Sequence, residues 1–212
     1  MVGPSSSLNK IADYYSRKLS EFGATARGVD WNGDVSQTLR FEQLCTVFQK
    51  PVIDNQTVND LGCGYGALFQ YLQACRYPVR YNGFDLSVDM IAQAKSFHAG
   101  VGEARFAVGS APDAVADYGI ASGIFNVRVD IPDEPWLDQI HATLDAMHET
   151  SRLGFSFNAL TAYSDMDKMR PYLYYADPCQ MFDWCKRRYS RHVALLHDYG
   201  LYEFTIIVRK QI

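Results

Sequence analysis

Val58-Asn59-Asp60-Leu61-Gly62-Cys63-Gly64-Tyr65-Gly66-Ala67-Leu68 decides the fold of this 212-residue chain. An apolar lead-in, an acid and three glycines at every second position predict a strand that ends, turns tightly and begins a helix. Glycines are needed there because a Cβ would block positive φ or keep a ligand from the backbone. The N–H groups that open the helix favour an electron-rich partner. The stretch therefore predicts a ligand-binding turn.

The residues around the glycines are compatible with more than one nucleotide site. A dinucleotide-binding turn has the form G-x-G-x-x-G, in which Ala67 is a permitted replacement for the third glycine. Asp60, however, lies two residues before Gly62, and residues 81–87 read as a second short strand that ends in Asp85, 23 residues beyond Gly62. A carboxylate at that position can accept hydrogen bonds from both ribose hydroxyls.

Together the two motifs resemble those of the class I S-adenosylmethionine (SAM)-dependent methyltransferases. The family's first motif is an acid-x-Gly-x-Gly-x-Gly turn, met here by Asp60, Gly62, Gly64 and Gly66. The second is a Gly-x-Asp-x-Ser strand end, met here by Gly83, Asp85 and Ser87. The pair of motifs is far more specific than either motif alone.

The resemblance implies a fold and a cofactor site. The fold is α/β, a Rossmann-like and mostly parallel sheet of seven strands with helices on both faces, closed by an antiparallel C-terminal hairpin. The cofactor is SAM and its product S-adenosylhomocysteine (SAH). The acid at the Asp60 position helps to hold the methionine end, the turn from Leu61 lets the cofactor lie against bare backbone, and Asp85 binds the ribose.

Further cofactor contacts are predicted, and some of these residues have a second interpretation. Leu86 and Met90 fall where an adenine ring needs apolar cover, and core packing is the other interpretation of Met90. The family's acid-small pair after the third strand is Ser110-Ala111 here, so an adenine contact would use the Ser110 hydroxyl or the Ala111 N–H. Arg40 could reach the methionine carboxylate, or could be a surface residue.

The chain divides into three predicted parts. Residues 1–7 are interpreted as a disordered leader or a cloning remnant. Residues 8–50 are predicted to form an N-terminal helical lid, with helices over 8–22 and 36–49. Residues 51–212 are predicted to form the methyltransferase domain. Trp31, in the loop between the lid helices, is a candidate substrate contact, with a packing role as the alternative.

Catalytic and substrate residues are predicted from the later strands. A fourth strand over residues 118–127 would place Asn126 near the methyl group, where its amide oxygen could orient a substrate or only bind its own loop. His197, at the hairpin turn, could take a proton. An insertion over residues 159–178 is predicted to form the acceptor pocket, or simply a packed cover. The candidate pocket tyrosines are Tyr172, Tyr174, Tyr175 and Tyr199.

Composition limits the partners. A net charge of −4 and a pI near 5.7 argue against non-specific nucleic-acid binding. Apolar runs stay well short of the roughly 18 residues that a membrane span needs. The five cysteines lack C-x-x-C spacing, which argues against zinc or a disulfide framework and suits the cytoplasm. No metal is predicted, and the chain is expected to be a monomer or homodimer.

The predicted function is transfer of a methyl group from SAM to an oxygen, nitrogen or other nucleophile of a small-molecule acceptor. Asn126-Val127-Arg128 stands where amino-methyltransferases of nucleic-acid bases and glutamine carry Asn/Asp-Pro-Pro-aromatic. Two alternatives stay open. One is an NAD(P)-dependent Rossmann oxidoreductase, which Ala67 permits. The other is a non-catalytic SAM-binding protein, because no general base stands out.

Overall fold

The computed structural model describes residues 6–31, 33–49 and 54–210, with side chains from residue 8 onward. The α-helices within these ranges are α1 (Ser6–Phe22), α2 (Asp34–Leu44), α3 (Ala67–Ala74), α4 (Val88–Phe97), α5 (Asp133–Glu149) and α6 (Pro178–Arg188). The strands are β1 (Gln56–Leu61), β2 (Val79–Asp85), β3 (Ala104–Val108), β4 (Ala116–Ala121), β5 (Ser151–Leu160), β6 (His192–Leu196) and β7 (Glu203–Arg209).

The described strands form one seven-stranded sheet in the order β3-β2-β1-β4-β5-β7-β6. Neighbours from β3 to β5 are parallel, and β7 runs antiparallel to both β5 and β6. Leu61, the last residue of β1, pairs with Phe84 on one side and Ala121 on the other. The turn after β1 therefore opens between the ends of β2 and β4, where ligands bind in open α/β sheets. The Rossmann-like fold with an antiparallel C-terminal hairpin is confirmed.

Helices cover both faces of the sheet. Neighbouring side chains of β7 show this, because they pack against helices on opposite faces. Ile206 packs with Trp136 and Leu144 of α5 on one face. Its neighbour Ile207 packs on the other face, in a cluster that includes Leu72 of α3 and Leu44 of α2. Because successive side chains of a strand point to opposite faces, a run of consecutive apolar residues such as Ile206–Val208 in β7 is expected where both faces of a sheet are covered.

The N-terminal helix is anchored beside the end of β2. Ser16 Oγ of α1 lies 2.9 Å from Ser87 Oγ, which caps the start of α4. Lys18 of α1 pairs with Asp30 at 2.8 Å, just after a short 3-10 turn at Ala26–Val29. The division into lid and domain stays a prediction. Its boundary at residues 50 and 51 and the leader residues 1–5 lie outside the described residues, whereas Ser6 already belongs to α1.

Several predicted boundaries were wrong. β4 ends at Ala121 instead of residue 127, because Gly123 takes a left-handed φ of 74° and accepts a hydrogen bond from Asn126 N. Residues 122–127 therefore form a loop at the sheet edge. β5 continues to Leu160, two residues into the insertion predicted over 159–178, since β7 pairs with it as far as that residue. α2 ends at Leu44 and passes into a 3-10 turn.

Candidate functional site

The glycine turn is tied to the neighbouring strand. The N–H groups of Gly62 and Cys63 donate to Phe84 O at 2.7 and 3.0 Å. Gly62, Gly64 and Gly66 have φ values of 76°, 55° and 87°, which side chains rarely adopt. A Cβ on Gly62 would also overlap with Ile124 Cγ2. Both conformation and space therefore require glycine at the first position of the turn.

Asp85 points at this turn from the end of β2. Its Oδ2 accepts a hydrogen bond from Gly64 N at 2.9 Å, and its Oδ1 accepts one from Ser87 N at 2.8 Å. Burial raises the pKa of the Asp85 carboxyl, and the backbone donors act in the opposite direction. Each carboxylate oxygen keeps a second lone pair, so Asp85 can still accept a hydrogen bond from a ligand hydroxyl.

Asp60 is fully buried beneath the turn and incompletely paired. Its Oδ2 accepts a hydrogen bond from the Tyr81 hydroxyl. Its Oδ1 is buried and has no hydrogen-bond partner among the described residues. Burial raises the pKa of Asp60 to about 7, against the effect of the Tyr81 hydrogen bond. A buried oxygen without a partner is costly, and a positively charged ligand group would satisfy it.

A first cavity of about 130 Å³ lies over the turn. Eight residues predicted to bind the cofactor line it: Asp60, Leu61, Gly62, Gly64, Asp85, Leu86, Met90 and Ser110. Gly66 and Ala111 lie outside its described wall. Gly66 instead forms the N-cap position of α3, and a Cβ there would meet His98 Nε2 at 2.7 Å.

The remaining wall of the first cavity is formed by elements that the motifs do not identify. α1 contributes Leu8, Ile11, Ala12 and Tyr15, and α5 contributes Trp136, Gln139 and Thr143. The apolar spacing of α1 and α5 predicts buried helix faces, but it cannot show that those faces meet a ligand cavity. The loop after β4 adds Ser122, Gly123, Ile124 and Phe125.

Two polar side chains of α2 line two different cavities. Gln37 lines the first cavity, and its Oε1 accepts a hydrogen bond from the Tyr65 hydroxyl at 3.4 Å. Arg40, one turn later, lines a second cavity instead. Its Nε and Nη2 donate to the two carboxylate oxygens of Glu203 at 2.8 and 2.7 Å, and both side chains are buried. The structure therefore places Gln37, rather than Arg40, beside the predicted cofactor position.

The second cavity has a volume of about 630 Å³ and adjoins the first. Tyr15, Val29, Trp31 and Gly123 line both cavities. The Trp31 ring stacks on the Arg40 guanidinium, with 3.9 Å between the guanidinium carbon and the ring centroid, and it lies against Gly123. Of the predicted catalytic and substrate residues, four line the second cavity: Trp31, Asn126, Tyr172 and Tyr175.

Asn126 occupies this wall with its amide in a specific orientation. Its Oδ1 accepts a hydrogen bond from Leu160 N at 2.9 Å, and its main-chain oxygen accepts one from Tyr174 N at 2.8 Å. The amide oxygen that was predicted to orient a substrate is therefore already used. The amide nitrogen has no hydrogen-bond partner among the described residues, so Nδ2 is the atom that could contact an acceptor.

Three of the predicted catalytic and substrate residues lie outside the described walls of both cavities. His197 is exposed and packs beside Tyr163 and Phe204. It follows the edge strand β6, which is separated from β1 by three strands. Tyr199 is held by Thr205, with 3.0 Å between the hydroxyls. The half-buried Tyr174 ring packs against the apolar core.

The described residues form neither a cluster of metal ligands nor a membrane-spanning helix. No group of three or more His, Cys, Asp or Glu side chains in these ranges has an arrangement that could hold a metal ion. No helix within the same ranges combines the length and hydropathy that crossing a bilayer requires.

Comparison with known proteins identifies relatives of this chain. The protein of Mycobacterium tuberculosis (strain ATCC 25618 / H37Rv) named "Putative methyltransferase Rv1506c" is 57% identical over 157 residues, which cover 74% of this chain and 95% of the relative. The DhpI-SAM-HEP complex matches with a TM-score of 0.69 and 17% identity, over 97% of this chain and 99% of that one. Magnesium protoporphyrin IX methyltransferase from Synechocystis PCC 6803 with bound SAM matches with a TM-score of 0.69 and 12% identity, over 100% of both chains. Models of protein families give no match.

Proposed function

This chain belongs to the class I SAM-dependent methyltransferases, and from that premise we propose that it methylates an oxygen, nitrogen or other nucleophile of a small molecule. It is an enzyme whose cofactor is SAM and whose product is SAH. The observation that carries the proposal is the pair of adjoining cavities, one over the glycine turn and one walled by Trp31, Tyr172 and Tyr175. The neighbour named magnesium protoporphyrin IX methyltransferase, whose name gives a small organic compound, supports this acceptor class.

The first cavity fits the cofactor chemically. The bare turn at Gly62 and Gly64 admits a ligand close to the backbone, and Asp85 offers a carboxylate to ribose hydroxyls. The unpartnered Asp60 Oδ1 suits the methionine ammonium. The Gln37 amide nitrogen suits the methionine carboxylate. When bound, SAM supplies a methyl group on a positively charged sulfur, which is already activated for transfer.

The remaining work of the chain is to position the acceptor and exclude water. Trp31 and Gly123 form the boundary between the two cavities, which is where an acceptor nucleophile must approach the cofactor. Asn126 Nδ2 can donate a hydrogen bond to an acceptor from the same wall. The second cavity has hydroxyls at Tyr172 and Tyr175 that can bind a small organic molecule. We therefore assign the acceptor to the second cavity.

A paired binding and turnover experiment tests the proposal. Calorimetric titrations of the full chain with SAH and with NADH should show binding of SAH alone. Incubation with SAM and a panel of phenols, thiols, amines and carboxylic acids should release SAH. A preference for NADH would favour the oxidoreductase. SAM binding without SAH release across the panel would favour a binding protein.

Asp60 is expected to make cofactor binding depend on pH. Its pKa is raised to about 7, chiefly by burial, and only the ionised carboxylate attracts an ammonium group. SAH affinity should therefore rise about tenfold between about pH 6 and about pH 8. Calorimetric titration across this range measures the effect, with Asp60→Asn as the control that leaves only the ligand's own titration. Matching pH profiles for the two proteins would contradict the assignment.

The same group also affects stability in the ligand-free protein. The folded state binds the Asp60 proton more tightly than the unfolded chain, because its pKa rises from 3.8 to about 7 on folding. The protonated Asp60 carboxyl therefore adds to the free energy of unfolding below about pH 4, and this stabilisation is lost as the pH rises to about 7. In Asp60→Asn, the free energy of unfolding should depend less on pH between about pH 4 and about pH 7. Denaturant titrations at several pH values measure this dependence.

Asn126 is expected to affect turnover more than cofactor affinity. Asn126→Asp keeps an oxygen that accepts from Leu160 N but replaces the free amide donor with an acceptor. We expect kcat to fall at least about tenfold, with SAH affinity within about twofold of the wild type. Asn126→Ala also removes the Leu160 contact and should cost about 1 kcal/mol of stability. Equal losses of turnover and SAH affinity in Asn126→Asp would make Asn126 a structural residue.

Other predictions complete the proposed function. We retain the N-terminal helical lid over residues 8–50 and the acceptor-pocket insertion over 159–178 as proposals. The cytoplasmic location stays a prediction from cysteine usage. A monomeric or homodimeric state and the absence of a nucleic-acid, membrane or metal partner also stay predictions. Lys186, Arg187 and Arg188, the densest basic run, donate to Arg191 O, Asp183 and Asp145 respectively, which supports a solvated helix face.

A further inference from the structure

The acidic side chains of the second cavity are already satisfied. Asp30 and Glu203 are the acids in its described wall. Asp30 pairs with Lys18 Nζ at 2.8 Å and accepts a hydrogen bond from the Tyr14 hydroxyl. Glu203 binds Arg40 through both oxygens and also accepts from Asn158 Nδ2 at 2.7 Å. Neither carboxylate is therefore left to bind a cationic acceptor.

Hydrogen-bond donors in the same wall are in excess. Arg40 is only 6% exposed, and its buried Nη1 has no partner among the described residues, so it adds positive charge behind the wall. The Tyr175 hydroxyl accepts a hydrogen bond from Arg170 N at 2.9 Å, which leaves its own proton free to donate. Asn126 Nδ2 is a third donor without a partner among the described residues. The Tyr175 hydroxyl and Asn126 Nδ2 can be satisfied together by oxygen atoms of a ligand.

The wall of the second cavity also carries more positive than negative charge. Arg170 Nη1 donates to the main-chain oxygens of Asp167 and Met169, and no described carboxylate pairs with Arg170. Lys168 pairs only with the exposed Asp167 beside it, at 2.9 Å, and such surface pairs contribute little. After the acids are paired, the wall keeps a positive excess at the insertion that covers the cavity.

We propose that the methyl acceptor is a small organic anion, whose carboxylate or phosphoryl oxygens bind in the second cavity at Arg170, Tyr175 and Asn126 Nδ2. This inference rests on the proposed function, because it names the acceptor class of the same site. An oxyanion supplies the acceptors that this wall lacks, and its charge balances the cationic excess. Hydrogen bonds from a guanidinium to an oxyanion are charge-assisted and therefore stronger than those between neutral groups.

Matched neutral and anionic probes test the inference. The SAH-loaded full chain is titrated with benzoate and benzamide, and with phenyl phosphate and phenol, while tryptophan fluorescence and calorimetry report binding. We expect at least one anion to bind about tenfold more tightly than its neutral partner. The comparison between benzoate and phenyl phosphate separates a carboxylate site from a phosphoryl site. Neutral probes that bind as tightly as the anions, or anions with Kd above about 10 mM, would overturn the inference.

Variants locate the anion. Arg170→Gln and Tyr175→Phe should each reduce the preference for the anion by about fivefold, because each removes a donor and neither removes a buried charge. Arg191→Gln is the matched control, since Arg191 is exposed and lies outside the described walls of both cavities. An unchanged preference in both cavity variants, or an equal loss in Arg191→Gln, would also overturn the inference.

The same titrations separate this inference from the proposed function. Failure of SAH to bind, with anions still binding in its absence, would reject the cofactor assignment and keep the anion site. SAH binding without any preference for anions would keep the cofactor assignment and reject the anion site. SAH release from SAM in the presence of an anionic acceptor, lost in Arg170→Gln, would support both.

Discussion

Replacing Glu203 by alanine is expected to lower the free energy of unfolding by about 3–5 kcal/mol. The reason is that Arg40 would stay buried without its charge partner, and Asn158 would lose the acceptor of its Nδ2 hydrogen bond. Denaturant unfolding monitored by circular dichroism measures this loss. Arg40→Ala should give a loss of similar size, because it leaves the Glu203 carboxylate uncompensated.

Two controls separate the charge effect from the loss of packing. The double variant Arg40→Met and Glu203→Leu replaces the pair with apolar side chains and should recover most of the stability. Glu103→Ala breaks the exposed pair with Arg80 and should change the unfolding free energy by less than about 1 kcal/mol. A loss below about 1 kcal/mol for Glu203→Ala would show that water or local rearrangement compensates Arg40.

Replacing Asp85 by alanine should weaken SAH binding by about 1–3 kcal/mol, or roughly five- to 150-fold. The carboxylate is expected to bind the ribose, and it also holds Gly64 N and Ser87 N, which orient the glycine turn and the start of α4. Loss of the side chain therefore removes a ligand contact and loosens the wall that presents it. Calorimetric titration with SAH measures the change.

Asp89→Ala is the matched control for Asp85. Asp89 is an exposed acid in the first turn of α4 and lies outside the described wall of the first cavity. It should leave SAH affinity within about twofold, because exposed charges interact weakly. Thermal unfolding of the ligand-free variants checks that Asp85→Ala is folded. Unchanged SAH affinity in that variant would remove Asp85 from the cofactor site.

The cofactor turn could be predicted from the sequence because its determinants are local. Positive φ at Gly62 and Gly64, and the Asp85 carboxylate two residues after Gly83, are properties of short segments with few alternatives. The parallel arrangement of β1 and β2 then brings the two segments together, since both end at the same edge of the sheet. Local motif and simple topology were sufficient for these contacts.

The acceptor side could not be predicted equally well because its determinants are distant. Arg40 and Glu203 are 163 residues apart, and an isolated arginine gives no indication that a carboxylate from β7 will reach it. The predicted role of His197 depended on its distance from the turn, which only the strand order supplies. The end of β4 depended on one left-handed glycine, Gly123, within an otherwise apolar run.

The Arg40–Glu203 pair also has a consequence for biosynthesis. α2 leaves the ribosome long before Glu203 is translated, so throughout that interval its arginine must remain solvated or find a temporary partner. β7, which separates β5 from β6, arrives equally late. Because the wall that holds Arg40 is incomplete without this strand, methylation competence should emerge only after translation of Glu203–Arg209.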